Sequence, residues 1–290
     1  MSKKGISLVG IHDAKEVARI REQYPDCYFE LSYLSTEQSL SEELPLIEGR
    51  VASIHLLAPK REFFPNLASE KSYVWSEREI LLDAELALKL GAENLVLHPG
   101  YLVDGLVYSD YSQRLPQIKA LNLDEYLIYP QESVCAPSYI HSPRYLESYK
   151  IMKENALILS EKVRAMGLNL CLENLNPRGG YMILHPDECI DLANAGLSLC
   201  LDIGHLHVNS FVFGFDTLTE IKRILDTGAV KTMHLHSNES QVGLYKDSHK
   251  SFNKYMPYWK EIVTYGQEKG ANLILEVLEE CEQNVGLLFS

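Results

Sequence analysis

The sequence predicts an α/β fold, a single (β/α)8 TIM barrel with a long insertion after the fourth strand, and three observations carry that expectation. Eight short apolar runs alternate with stretches of helical periodicity, the pattern of parallel strands joined by crossover helices. Glycines stand where a helix must stop and a strand begin, in Leu90-Gly91-Ala92, Met166-Gly167, Ala195-Gly196 and Lys269-Gly270-Ala271; glycine favours the left-handed conformation that ends helices. Most of the apolar runs also end in His, Asp or Glu. A strand that is apolar along its length and polar at its C-terminal tip is how such a barrel presents a site.

In chain order, the strand candidates are Gly5 to Ile11, Tyr28 to Tyr33, Val51 to Leu57, Asn94 to His98, Leu168 to Glu173, Leu197 to Ile203, Val230 to His236 and Asn272 to Val277. Helical spacing marks Ala14 to Gln23, Ser76 to Leu90, Arg144 to Met166, Pro186 to Ala195, Thr217 to Leu225 and Tyr258 to Glu268. At 290 residues and 46% hydrophobic content the chain suits one domain spanning residues 1–290. The stretch from Tyr101 to Pro143 is too long for an ordinary strand-to-helix connection. It carries Pro116, Pro130 and Pro137 and six tyrosines, and its position after a barrel strand suggests a lid or substrate platform over residues 101–143. Packing against a neighbouring subunit is the alternative, because Tyr is also favoured at interfaces.

Nine potential metal ligands fall at or just past strand ends: His55, His98, Glu173, Asp202, His205, His234, Asp247, His249 and Glu276. Any one of them alone would read as an ordinary core or ion-pairing residue. Together, in Ser-Ile-His, Leu-His-Pro-Gly, Leu-Glu-Asn, Leu-Asp-Ile-Gly-His, Met-His-Leu-His and Leu-Glu-Val, they predict a metal centre. Mixed carboxylate and imidazole donors suit Zn²⁺ first, with Mn²⁺ or Fe²⁺ as alternatives. Glu173 and Glu276 are the candidate catalytic carboxylates, bridging metals or accepting a proton.

The formal net charge of −13 disfavours a large nucleic-acid footprint, since phosphate binding draws on Lys and Arg. Six cysteines without a C-x-x-C spacing are expected to be reduced thiols rather than a disulfide framework. No apolar run approaches a bilayer-spanning length and the N-terminus lacks a signal-peptide pattern, so a soluble, cytoplasmic protein is expected.

The strand-tip triplets resemble those of the xylose-isomerase-like barrel superfamily, also called AP endonuclease family 2, over most of the chain from His55 to Glu276. The resemblance has two branches. Endonuclease IV enzymes, which cut abasic DNA with three zinc ions, are similar in the order of all nine ligand positions, His234 being the counterpart in His-Leu-His. Sugar isomerases and epimerases need one metal, and their quartet would here be Glu173, Asp202, His234 and Glu276. The chain departs from endonuclease IV in having Leu31 to Ser35 instead of a Gly-Arg-Asn segment, and Ala58 instead of an intercalating tyrosine.

The sequence therefore gives first place to a multinuclear, up to trinuclear, hydrolase of a phosphate ester or diester. A mononuclear sugar or sugar-phosphate isomerase or epimerase is the alternative, and a metal-dependent binding protein the third reading. A small phosphorylated or sugar-like substrate is the expected partner in either enzyme; oligomerisation is left open.

Overall fold

A computed structural model describes residues 2–290. Eight strands, β1 (Lys4–Ser7), β2 (Tyr28–Leu31), β3 (Val51–His55), β4 (Asn94–Leu97), β5 (Asn169–Glu173), β6 (Ser198–Asp202), β7 (Val230–Leu235) and β8 (Asn272–Leu275), close into a barrel. Each pairs in parallel with its sequence neighbours, and β8 pairs with β1 to complete the ring. Around it lie α1 (Ala14–Gln23), α2 (Glu37–Glu43), α3 (Glu70–Leu90), α4 (Tyr111–Lys119), α5 (Pro143–Ala165), α6 (Pro186–Asn194), α7 (Ile203–Phe213), α8 (Thr217–Leu225), α9 (Trp259–Glu268) and α10 (Cys281–Phe289). The (β/α)8 architecture matches the sequence expectation.

Period-two alternation fixes what the barrel interior holds. Cys171 and Glu173 on β5, Cys200 and Asp202 on β6, and Thr232 and His234 on β7 are i, i+2 pairs on one face. Val96, Cys171 and Cys200 form a small buried cluster of their own, one step deeper than the acidic tips of β5 and β6. The large apolar core lies outside the ring, where Leu95, Leu170, Leu172, Leu199, Leu201, Met233 and Leu273 meet the helices. All six cysteines are buried free thiols.

Several predicted boundaries shift. All strands but β5 stop earlier than their apolar runs, as where Leu8–Gly10 makes a 3₁₀ turn after β1. Helix α3 begins at Glu70, six residues ahead of the predicted Ser76. Its polar opening reads as loop in the sequence, but Ser72 Oγ donates to the Asn66 carbonyl at 3.1 Å and Ser76 Oγ accepts from Asn66 N at 2.9 Å. The segment read as the end of β6 is the start of α7: Asp202 caps that helix by accepting from His205 N at 2.6 Å.

The insertion after β4 is built rather than loose. Val107–Tyr108 pairs with Phe63–Phe64, and Leu127–Tyr129 pairs with Val134–Cys135, both antiparallel. Bridges from Tyr101 to Tyr181 and from Val134 to Arg178 tie it to the loop after β5. Tyr139 is fully buried, and its hydroxyl accepts from Gly180 N at 2.8 Å and donates to the Tyr181 carbonyl at 3.0 Å. No helix among the described residues is long and apolar enough to cross a membrane.

Candidate metal centre

The barrel brings all nine sequence-predicted residues to its C-terminal mouth. Glu173, at the tip of β5, lies at the centre: its carboxylate is 3.1 Å from His55 Nε2, 3.5 Å from His98 Nε2, 3.5 Å from His234 Nδ1 and 3.6 Å from His205 Nδ1. His234 Nδ1 stands 3.3 Å from Glu276 Oε2 and 3.8 Å from Asp202 Oδ2. His205 Nε2 meets Asp247 Oδ2 at 3.1 Å, and His249 Nε2 lies 3.3 Å from the other oxygen of that carboxylate.

Two neighbouring sets of donors can each surround one cation. Glu173, Asp202, His234 and Glu276 offer donor atoms within 4.8 Å of one another, and so do His205, His236, Asp247 and His249. His55 forms a third, overlapping group with Glu173 and His234. His98 joins none of these groups; it approaches Glu173 alone, while its Nδ1 faces the Tyr101 hydroxyl at 3.4 Å.

Two residues escaped the sequence reading. His236 lies two residues past His234 and therefore points to the same side; its Nε2 is 2.9 Å from Asp202 Oδ1, and its ring stacks on His249 at 3.8 Å. In Met-His-Leu-His the spacing offered two candidates, and it is His236 that completes the second donor set. Glu30, fully buried on β2, is the other. It accepts from Ser53 Oγ at 2.7 Å and meets His234 Nε2 at 3.1 Å, which leaves only Nδ1 of His234 free for a cation. An acid inside the apolar run Tyr-Phe-Glu-Leu was the available signal.

The donor set fits a divalent cation on an observation independent of likeness. Both Glu173 oxygens, both His55 ring nitrogens and His234 Nδ1 are buried without a hydrogen-bond partner, although these groups crowd one another. Unsatisfied buried carboxylate and imidazole atoms are costly unless something else engages them. Burial alone would raise Glu173 and Glu276. The imidazoles of His98 and His234 around the first, and of His234 and His249 around the second, outweigh it and hold both carboxyls well below their ordinary range. Burial likewise works against charge on His249, but Asp247 and Glu276 prevail and lift it to about 10. His98, with less compensation, is pushed down by burial to about 3. Without metal the imidazoles of His205, His234 and His249 favour their protonated forms beside these carboxylates, so protons there occupy the role a cation would take.

Supporting residues aim these groups. His205 Nδ1 bonds the Asn174 carbonyl at 3.0 Å and His249 Nδ1 the Glu276 carbonyl at 2.7 Å, leaving each Nε2 facing inward. Asn176 and Asn238 donate to the two Asp247 oxygens at 2.7 and 3.2 Å. Such outer partners fix ligand orientation. Above the cluster is a narrow cavity of about 100 Å³, walled by Tyr33, Phe64, Tyr101, Arg114, Leu175 and Tyr181. Tyr101 and Arg114 come from the insertion.

A parallel barrel with a carboxylate and imidazole cluster at the C-terminal ends of its strands defines a class in which the site sits where β-to-α loops converge. Solved structures share the barrel fold. The chain superposes on a D-tagatose 3-epimerase-like protein with a TM-score of 0.64 and 16% identity, covering 99% of this chain and 94% of that one. It superposes on the 3-keto-D-glucoside 4-epimerase YcjR from E. coli with a TM-score of 0.64 and 10% identity, covering 100% and 99%. An L-ribulose 3-epimerase gives 0.59 at 14% identity, covering 100% and 86%. These likenesses show the (β/α)8 barrel fold that the sequence predicts. No family model matches the sequence, and no curated protein matches it.

Proposed function

We propose that this protein is a divalent-metal-dependent enzyme that isomerises or epimerises a small polyhydroxylated substrate of the sugar class. The observation that carries the reading is the buried quartet Glu173, Asp202, His234 and Glu276, three carboxylates and one imidazole, of which Glu173 and Glu276 line a narrow cavity. The likeness to barrels described as sugar epimerases supports it, and moves the isomerase reading ahead of the hydrolase that the sequence placed first.

A cation held by the quartet would supply Lewis-acid polarisation of a carbonyl and its adjacent hydroxyl. Glu173 and Glu276 are the groups placed to move protons. One removes the proton from the carbon beside the carbonyl, and the other returns a proton to the opposite face, so the net change is configuration alone. His234, fixed by Glu30, positions the donor between them. Tyr33, Phe64 and Tyr101 wall the cavity with apolar surface, which limits water at the reacting carbon. In this reading the segment 101–143 serves as a fixed wall of the substrate site.

A second reading, hydrolysis of a phosphate ester, rests on one observation: the further donor set His205, His236, Asp247 and His249 adjoining the quartet. Two or three cations could generate hydroxide and clamp phosphate oxygens. Protein loaded with Zn²⁺, Mn²⁺ or Fe²⁺ should be assayed against ketoses and their phosphates, and against abasic-site DNA and small phosphodiesters. Turnover confined to the first panel supports the proposal; hydrolysis confined to the second replaces it.

A further inference from the structure

Arg114, on α4 of the insertion, is 7% exposed and lines the cavity above the donor cluster. Its guanidinium lies over the rings of Phe64 at 5.1 Å, Tyr111 at 5.6 Å and Tyr101 at 5.7 Å. Among the described residues no carboxylate comes within ion-pairing distance of it, whereas the buried acids of the cluster are engaged by histidines. A buried cation with no anion of its own is unusual, because burial removes the water that would otherwise solvate it.

The way its donors are spent shows which edge is free. Nη1 donates to the carbonyls of Tyr108 at 2.9 Å and Ser109 at 3.0 Å, pinning the start of the insertion helix. Nη2 has only a long contact of 3.5 Å to the Tyr181 hydroxyl, and Nε is buried with no partner. Nε and Nη2 share the side of the guanidinium that binds carboxylate or phosphate in a two-pronged fashion. A purely structural pin would be complete with Nη1 alone.

We propose that Arg114 reads an anionic group, a phosphate or carboxylate, on the substrate through its Nε and Nη2 edge, so that the preferred substrate is an acidic sugar derivative rather than a neutral sugar. This rests on the proposed function for the occupant being a small polyhydroxylated molecule. Phe64 and Tyr101 set the spacing: both rings touch Arg114, Phe64 packs against His98 at 5.9 Å, and the Tyr101 hydroxyl reaches His98. One aromatic layer therefore separates the anion site from the donor cluster, a span that a short carbon chain bridges.

The test is equilibrium binding to the full-length, Mn²⁺-loaded protein, with D-fructose, D-fructose 6-phosphate, D-glucuronate and inorganic phosphate as probes. At least one anionic probe is expected to bind tenfold or more tightly than fructose, and whether the phosphate or the carboxylate does so identifies the group. Arg114→Met should erase that advantage, read as the ratio of anionic-probe to fructose affinity with metal content measured in the same samples. An advantage that survives Arg114→Met places the anion on the metals and overturns the proposal, as does the absence of any advantage. If Arg114→Met loses metal as well, Arg114→Lys decides. It keeps the charge but not the fork, so a reduced anion advantage supports the assignment and a full one refutes it. Binding is read without turnover, so an absence of epimerisation would count against the proposed function and leave this result standing.

Discussion

A Cβ on Gly204 would lie 2.1 Å from His236 Cε1, so the first turn of α7 touches the imidazole just past β7 with no atom to spare. Gly204 is required there for the room it leaves. Gly204→Ala is expected to displace His236 from Asp202 and to cost about 1–3 kcal/mol of stability through overpacking. It should lower the metal bound by the His205, His236, Asp247 and His249 set more than that bound by the quartet. Metal content and thermal unfolding of the variant check this; unchanged values in both would show that the contact relaxes freely.

Metal uptake should release protons. His205, His234 and His249 are all held protonated by neighbouring carboxylates against the opposing effect of burial, and a ligating imidazole must be neutral. Calorimetric titration in buffers of different ionisation enthalpy should show more than one proton released per chain, and affinity should rise from pH 6 to pH 8. Binding without proton release would contradict the charge assignment.

The strand tips were legible because a strand's inward and outward positions alternate and a barrel needs apolar residues on both sides until its end. Leu-Cys-Leu-Glu and Leu-Cys-Leu-Asp announce Glu173 and Asp202 in this way. The choice within Met-His-Leu-His was not legible, since His234 and His236 share a side and only three-dimensional neighbours, Glu30 for one and Asp202 for the other, separate them. Helix α7 was hidden by Ile203 and Gly204, which read as strand and turn; its cap is made by a residue whose other oxygen belongs to the site. His98 approaches Glu173 and packs edge-on against His55 but completes none of the donor sets, and its remaining neighbours include the rings of Tyr33 and Phe64.

A pH signature away from the site is expected at Glu43, buried at the end of α2 with Oε2 unpartnered. Burial, with Glu42 adding repulsion, pushes its carboxyl up to about 7. The folded value lies above the unfolded one, so the folded protein favours the neutral acid. Stability from this group is complete below about pH 4.5 and is lost as pH rises toward 7. Glu43→Gln should be more stable than the parent by about 1–2 kcal/mol at pH 8 and close to it at pH 4.5. A difference independent of pH would show that Glu43 does not titrate in this window.

Replacing His249 by Ala should separate the two donor sets. The quartet does not include His249, so its metal is expected to remain while about one metal per chain is lost from the neighbouring set. Under the isomerase reading the variant keeps measurable turnover; under the hydrolase reading phosphoester cleavage falls by orders of magnitude. Metal analysis paired with both assays distinguishes them.

The central claim is that Glu173 and Glu276 move a proton at carbon above the metal quartet. Metal-loaded protein incubated with ketoses and their phosphates in deuterium oxide should place solvent deuterium on the carbon beside the carbonyl of a turned-over sugar. Glu276→Gln, which is isosteric, should keep the fold and abolish that incorporation while weakening metal binding. Incorporation that persists in Glu276→Gln at parental rate, or conversion of substrate with no deuterium at that carbon, would contradict the account.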